Sequence, residues 1–226
     1  MVLLGGIALS LFTGNLAVAL LNQNGVAGFR TLNSVGSVLL TTLCLHGTVI
    51  LLGIFFLQFF CGGLGDALGF NSPNLRRHLQ LTGWMLVVVL PVMIGLKYLS
   101  EVCLRHGGWK VEDQRAVEMF SSVKSTGLKI YLGFFAVILA PLAEEFLFRG
   151  VLFSTIHKVG WPKTAWIVPS VLFALIHQSA PIFLPLVVFA FALTWLYQKT
   201  GGLLAPMLAH ALFNLTNLGL LFLETK

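Results

Sequence analysis

Two adjacent acids, Glu144 and Glu145, stand in the middle of the apolar stretch from Tyr131 to Ile156, whereas the other six of the eight acidic residues fall in polar connections or at the C-terminus. A carboxylate at the centre of a bilayer costs about 2.5 to 3.5 kcal/mol on insertion scales, so two side by side need a partner, a proton or a water-filled cavity. Arg149 is such a partner for Glu145: four residues on, it shares the same helical edge, with the acid N-terminal to the base. Successive helical residues point about 100° apart, which turns Glu144 away from that edge and leaves it needing polar surroundings of its own. Later apolar stretches hold them. His177 follows Phe173 by four residues, and His210, Asn214 and Asn217 fall at i, i+4 and i+7 along one helical face.

A carboxylate and an imidazole together can activate water, one taking its proton while the other orients it, which suits Glu144 and His177 to general-base hydrolysis. A second imidazole and an amide, His210 and Asn214, supply hydrogen-bond donors for the oxyanion of a tetrahedral intermediate. The chemistry is then amide hydrolysis without a covalent intermediate, because no serine or cysteine stands beside a base as a nucleophile. Metal-assisted hydrolysis stays open: Glu144, His177 and His210 would make a zinc set of two histidines and a glutamate with a free fourth position, although the chain has no H-E-x-x-H motif. Taken singly, each group has a plainer reading. Glu145 with Arg149 is a buried structural ion pair, His177 a core histidine, and His210 with Asn214 a polar contact between helices worth about 1 kcal/mol.

Membrane helices must position these groups. The 226 residues are 57% hydrophobic and 10% charged, against about 25% charged for soluble domains. A bilayer core of about 30 Å takes about 20 apolar residues at 1.5 Å each. Seven stretches qualify: Met1 to Leu21, Ser37 to Phe60, Leu81 to Leu99, Leu128 to Ile156, Thr164 to Gln178, Pro181 to Leu196 and Gly202 to Leu223. The expected fold is all-α, a polytopic transmembrane bundle of about seven spans (six to eight), with a core of four helices carrying the polar site. Residues 1–226 are read as a single integral membrane domain, with the motif-bearing core at about 128–223. The fifth and sixth spans are short and meet at Ser179, Ala180 and Pro181, so one could be tilted, broken or partly buried in protein. The first span lacks a basic n-region and a small-residue cleavage site and is read as a retained helix.

Depth arithmetic shows that the polar groups can meet. Glu144 lies 14 residues from Lys158, and His177 lies 14 from Lys163, so each is roughly 21 Å in from the same side. His210 and Asn214 are 9 and 13 residues beyond Gly201, or roughly 14 and 20 Å from that side. Four such groups at one depth weigh against four separate structural roles. Pro141, three residues before Glu144, removes a backbone donor and tends to kink the helix or free a carbonyl near the site, the plainer reading being an ordinary membrane-helix proline.

The formal net charge of +6 comes from basic residues between the apolar stretches, which suits anionic headgroups and not a nucleic acid, for which no basic, aromatic-interleaved patch is present. Arg76, Arg77, Lys158, Lys163 and Lys199 fall on one side, with Arg30, Arg105, Lys110, Arg115, Lys124 and Lys226 on the other. Between Val111 and Val123 the placement of Val111, Val117 and Phe120 fits an interfacial amphipathic helix as well as a solvated loop. Cys44, Cys61 and Cys103, odd in number and widely spaced, read as packing residues and not as a disulfide framework. The sequon Asn214-Leu215-Thr216 lies inside an apolar stretch, which argues against glycosylation.

The ordered strings Glu144-Glu145-x-x-x-Arg149, Phe173-x-x-x-His177 and His210-x-x-x-Asn214, with Pro141 ahead of the first, resemble the three signature motifs of the CPBP (CAAX protease and bacteriocin-processing) family of intramembrane endopeptidases. The match covers roughly Ile130 to Leu218. The resemblance implies Glu144 as the catalytic glutamate, His177 as the water-binding histidine and His210 with Asn214 as the oxyanion pair. Glu145, Arg149 and Phe173 would support the site. It implies a glutamate mechanism needing no metal cofactor, with a zinc-dependent version through Glu144, His177 and His210 as the alternative. The implied partners are a protein or peptide substrate, prenylated or membrane-embedded, and the lipid bilayer. The location is a multi-pass membrane protein of the plasma membrane in a prokaryote or the endoplasmic reticulum in a eukaryote. Competing classes are a proton-coupled transporter, which calls for further ionisable steps where His46 stands alone in its span, and a non-catalytic immunity or regulatory membrane protein.

Overall fold

The computed structural model describes residues 2–26, 35–60, 63–69, 72, 74–112 and 114–224. Their regular structure is helical throughout, and the chain divides into two compact units, 1–64 and 65–226. In the first unit α1 (Val2–Gln23) packs on α2 (Val35–Phe60). Gly14 allows the approach, since a Cβ there would come within 3.2 Å of Cys44 Cβ and 3.5 Å of the Thr41 Cα. His46 hydrogen-bonds within its own helix, its Nδ1 lying 3.0 Å from Thr42 O.

The second unit holds α3 (Leu64–Leu68, from Gly65 on), α4 (Leu75–His106), α5 (Arg115–Ser122), the long α6 (Thr126–Lys158), α7 (Pro162–Leu175), α8 (Ala180–Thr200) and α9 (Leu204–Glu224). Among the described residues α4, α6, α8 and α9 are long and apolar enough to cross a bilayer. Each of the seven expected stretches contains a helix, but the fifth leaves it after Leu175 and the last enters it at Leu204, beyond the expected Gly202. The chain is an integral, multi-pass membrane protein.

Helix α8 is the centre of the unit. Its Phe189, Ala190, Leu193 and Leu196 are buried against Met85, Leu86 and Met93 of α4, Phe148 of α6, Phe173 and Ala174 of α7, and Ala205 and Ala209 of α9. On α4 the buried residues Thr82, Met85, Leu86 and Met93 follow the helical period. The opposite face exposes Trp84, Val87, Val88 and Ile94, all apolar, as a lipid-facing helix requires. Helix α4 overruns the expected third span at both ends because the polar residues Arg76, Arg77, Glu101 and Arg105 continue it.

Two short elements decide where the site residues fall. Helix α7 has 14 residues, roughly 21 Å, and stops at Leu175, so His177 lies in the turn beyond it. That turn is closed by Gln178 in the left-handed region, at φ 51°. Between α4 and α6, the segment that fitted either a helix or a loop contains α5. Its Phe120 is buried, with the ring edge-on to Phe222 of α9 at 5.3 Å, so its largest apolar side chain is spent on protein contact. Of the expected packing cysteines, Cys44 is half-buried, Cys103 is exposed at the end of α4, and Cys61 lies outside the described residues, as do Arg30 and Lys226.

Candidate active site

Helix α6 changes register on both sides of the two glutamates. Residues Phe135–Leu139 and Phe146–Phe153 are wound as π-helix, flanking the α-helical turn Ala140–Glu145. Such widened turns leave carbonyls out of the regular ladder and recur at functional sites. Inside the second one, Arg149 Nη1 donates to Glu145 Oε1 at 2.6 Å and Nη2 donates to the Ala190 carbonyl of α8 at 3.0 Å. Thr194 Oγ1 donates to that same carbonyl at 2.9 Å. The guanidinium sits 5.1 Å over the ring of Phe173, which adds a cation–π contact to the ion pair.

His210 of α9 joins both acids. Its Nδ1 is 2.9 Å from Glu145 Oε1 and its Nε2 is 3.8 Å from Glu144 Oε2. The 100° separation of the two acids does not give them separate surroundings, because one imidazole spans them. Glu145 is fully buried, whereas the Glu144 side chain is 17% exposed. Glu144 is therefore the acid that can meet a water. Phe173 packs its ring 4.9 Å from His177 and 5.5 Å from His210, and the Phe173 carbonyl accepts a hydrogen bond from His177 Nδ1 at 2.7 Å. With Nδ1 donating to a carbonyl, the neutral His177 ring presents an unprotonated Nε2.

Asn214 occupies a different place from the acids. Its Nδ2 donates to the Ala136 carbonyl at 2.8 Å, in the first π segment. There Ala140 N–H bonds Phe135 O, the wide five-residue register. In that register the donor for Ala136 O would be residue 141, which is a proline and has none. The freed carbonyl expected from Pro141 exists, and Asn214 fills it. Asn214→Leu is expected to lower stability by about 1 kcal/mol, the range for a buried hydrogen bond lost within a membrane protein. Pro141→Ala supplies the missing N–H, so the Asn214→Leu penalty should shrink in that background; thermal unfolding of the two single variants and the double variant measures the coupling. Additive effects would mean that Asn214 does not act through Ala136.

All seven sequence-predicted residues thus lie on α6, on α9, or at the end of α7. The structure gathers Glu144, Glu145, Arg149, Phe173 and His210, attaches His177 through Phe173, and ties Asn214 to α6 two turns before Glu144. Among the described residues no three His, Cys, Asp or Glu side chains are grouped as a metal-ligand set. Sequence reasoning missed the Ala190 carbonyl and Thr194. The signal was the hydroxyl of Thr194, directly after the apolar run Ala180 to Leu193 that opens α8.

Residues 126–216, which contain every one of these side chains, match the family model described as type II CAAX prenyl endopeptidase Rce1-like. This segment is similar to the Rce1-like family. Among curated proteins, the chain is 29% identical to the UPF0177 protein YxdF of Lactococcus lactis subsp. lactis (strain IL1403), over 74% of this chain and 89% of the relative. It is 27% identical to YdiL of Bacillus subtilis (strain 168), named as a candidate membrane peptidase, over 34% of this chain and 32% of the relative. No solved structure matches the chain. The Rce1-like match starts with α6 and ends two residues past Asn214, so the family region is the part of the second unit that carries the site.

Proposed function

We propose that the chain is an intramembrane endopeptidase in which Glu144, with His177, activates a water for attack on a peptide bond. The observation that carries this reading is the contrast between the two adjacent acids: Glu145 is fully buried and committed to Arg149, while the Glu144 side chain keeps 17% exposure although its Oε2, toward His210, is buried. Glu144 takes the water proton, and the free Nε2 of His177 accepts the second hydrogen bond that orients the oxygen. His210 is held by Glu145 through Nδ1, and its Nε2 is the donor we assign to the tetrahedral oxyanion. Asn214 has a second amide hydrogen beyond the one given to Ala136, and it completes the donor pair. After collapse of the intermediate, Glu144 returns the proton to the leaving amine.

The substrate class we propose is a peptide bond presented at the membrane, in a prenylated CAAX tail or in a transmembrane segment. Both are offered to purified protein, with and without a chelator, and products are read by mass spectrometry. Cleavage that persists with chelator is expected from a water-activating glutamate. Loss of cleavage restored by added zinc would move the reading to the metal-dependent version, and a folded protein that cleaves neither peptide would overturn it.

A further inference from the structure

The last turns of α6 and α8 meet in an open cleft of about 510 Å³, walled by Phe153, Ser154 and Tyr197 and rimmed by His157, Lys158 and Lys199. A volume of this order is that of a small-ligand site, about 300 to 1,000 Å³. Helix α7 runs back between α6 and α8, so both cleft-forming helices end at one membrane surface. The cleft therefore lies at headgroup level, well away from Glu144.

Its chemistry is one-sided. No acidic side chain lines it, and neither Lys158 nor Lys199 has a carboxylate partner among the described residues. A lysine in the last turn of a helix is explained by the helix dipole alone. Two of them facing one cavity, with an imidazole between, are not. The floor is already satisfied: Ser154 Oγ donates to the Arg149 carbonyl at 2.9 Å, and the Tyr197 hydroxyl, 3.1 Å away, donates to Ser154. The donors left for an occupant are the two ammonium groups, the His157 ring and the Gln198 amide at the rim. That set fits a phosphate. Immediately beside the cleft, the turn between α6 and α7 exposes Val159 by 67% and Trp161 by 64%, an apolar and aromatic anchor of the type that sits at membrane interfaces. Free phosphate has no use for that flank, whereas a lipid does.

We infer that this cleft binds the phosphate headgroup of an anionic phospholipid, whose glycerol and acyl chains lie along Val159 and Trp161. The site is separate from the hydrolytic reading, because its contact with Arg149 is Ser154 Oγ on the backbone carbonyl and not on the guanidinium that pairs with Glu145. A basic residue close to an anionic headgroup is worth about five-fold in affinity and a pair about thirty-fold.

The test is native mass spectrometry of the full chain in detergent with phosphatidylglycerol, phosphatidylcholine of matched chains, and inorganic phosphate as competitor. Wild type should retain phosphatidylglycerol over phosphatidylcholine. Lys158→Ala with Lys199→Ala should weaken that binding by about thirty-fold, while Lys110→Ala with Lys124→Ala, between α4 and α6 on the other face, should leave it unchanged. Equal retention of the two lipids, or equal weakening by the two double variants, would overturn the site. Displacement of the lipid by inorganic phosphate at equal concentration would assign the cleft to free phosphate and overturn the lipid as its occupant.

Discussion

Glu144→Gln is expected to lower peptide-bond cleavage by about 10²- to 10⁴-fold, the range over which a positioned general base acts, while changing stability by no more than about 1 kcal/mol. Glutamine keeps the shape and the helix preference of glutamate and removes only the ability to take a proton. The separation of activity from stability follows from the geometry. Glu144 is partly exposed and stands 3.8 Å from His210 Nε2, an ion-pair distance longer than a hydrogen bond, and it takes no part in the Glu145–Arg149 contact. Cleavage rate and thermal unfolding, measured on one preparation, check both halves. A Glu144→Gln protein that cleaves at the wild-type rate removes Glu144 from the mechanism. One that loses activity only because it unfolds removes the argument that the two acids have separate jobs. His177→Ala should also slow cleavage with little effect on stability, since among the described residues its ring bonds the carbonyl of Phe173, four residues earlier in the same segment.

The polar candidate residues stood out in the sequence because membrane insertion penalises each of them. A charged or amide side chain inside an apolar stretch has to be explained, and the four-residue spacings of Glu145 with Arg149 and His210 with Asn214 assign edges without any structure. Matched depth followed from a constant rise per residue, and His210 does reach the acids. What straight α-helices could not convey is the register of α6. The reading assumed 100° per residue throughout, and the two π segments beside Ala140–Glu145 break that assumption. One imidazole serves both glutamates because it carries a nitrogen toward each, and Asn214 meets Ala136 in the first π segment in place of the acids. The stopping point of α7 was hidden as well, because apolarity runs on through Ile176 while the backbone turns at Gln178. The clamp at Ala190 is a backbone carbonyl, and a carbonyl has no letter in a sequence.

Arg149→Met alone is expected to destabilise the protein by about 3 to 5 kcal/mol, the cost of leaving one partner of a buried ion pair uncompensated. Glu145 would keep only the His210 ring as a polar partner, in a position with no exposed surface. Replacing both partners, Glu145→Leu with Arg149→Met, is expected to recover most of that loss. Two buried charges then no longer have to be desolvated, and exchanging a buried pair for apolar groups of similar size is commonly neutral or stabilising. Here the recovery should be large because the pair is joined at one oxygen only. Among the described residues Glu145 Oε2 and Arg149 Nε are buried without a hydrogen-bond partner, a cost that the double replacement removes. Activity should not return with stability. His210 Nδ1 would have lost its acceptor, and the ring would no longer be held toward Glu144. Glu145 is on this account a positioning residue for His210, and the measurement that separates this from a purely structural role is cleavage by the refolded-stable double variant. Wild-type unfolding temperature with wild-type cleavage would reduce the Glu145–Arg149 pair to packing, whereas recovered stability with cleavage still depressed by about ten-fold or more assigns it to the orientation of the imidazole.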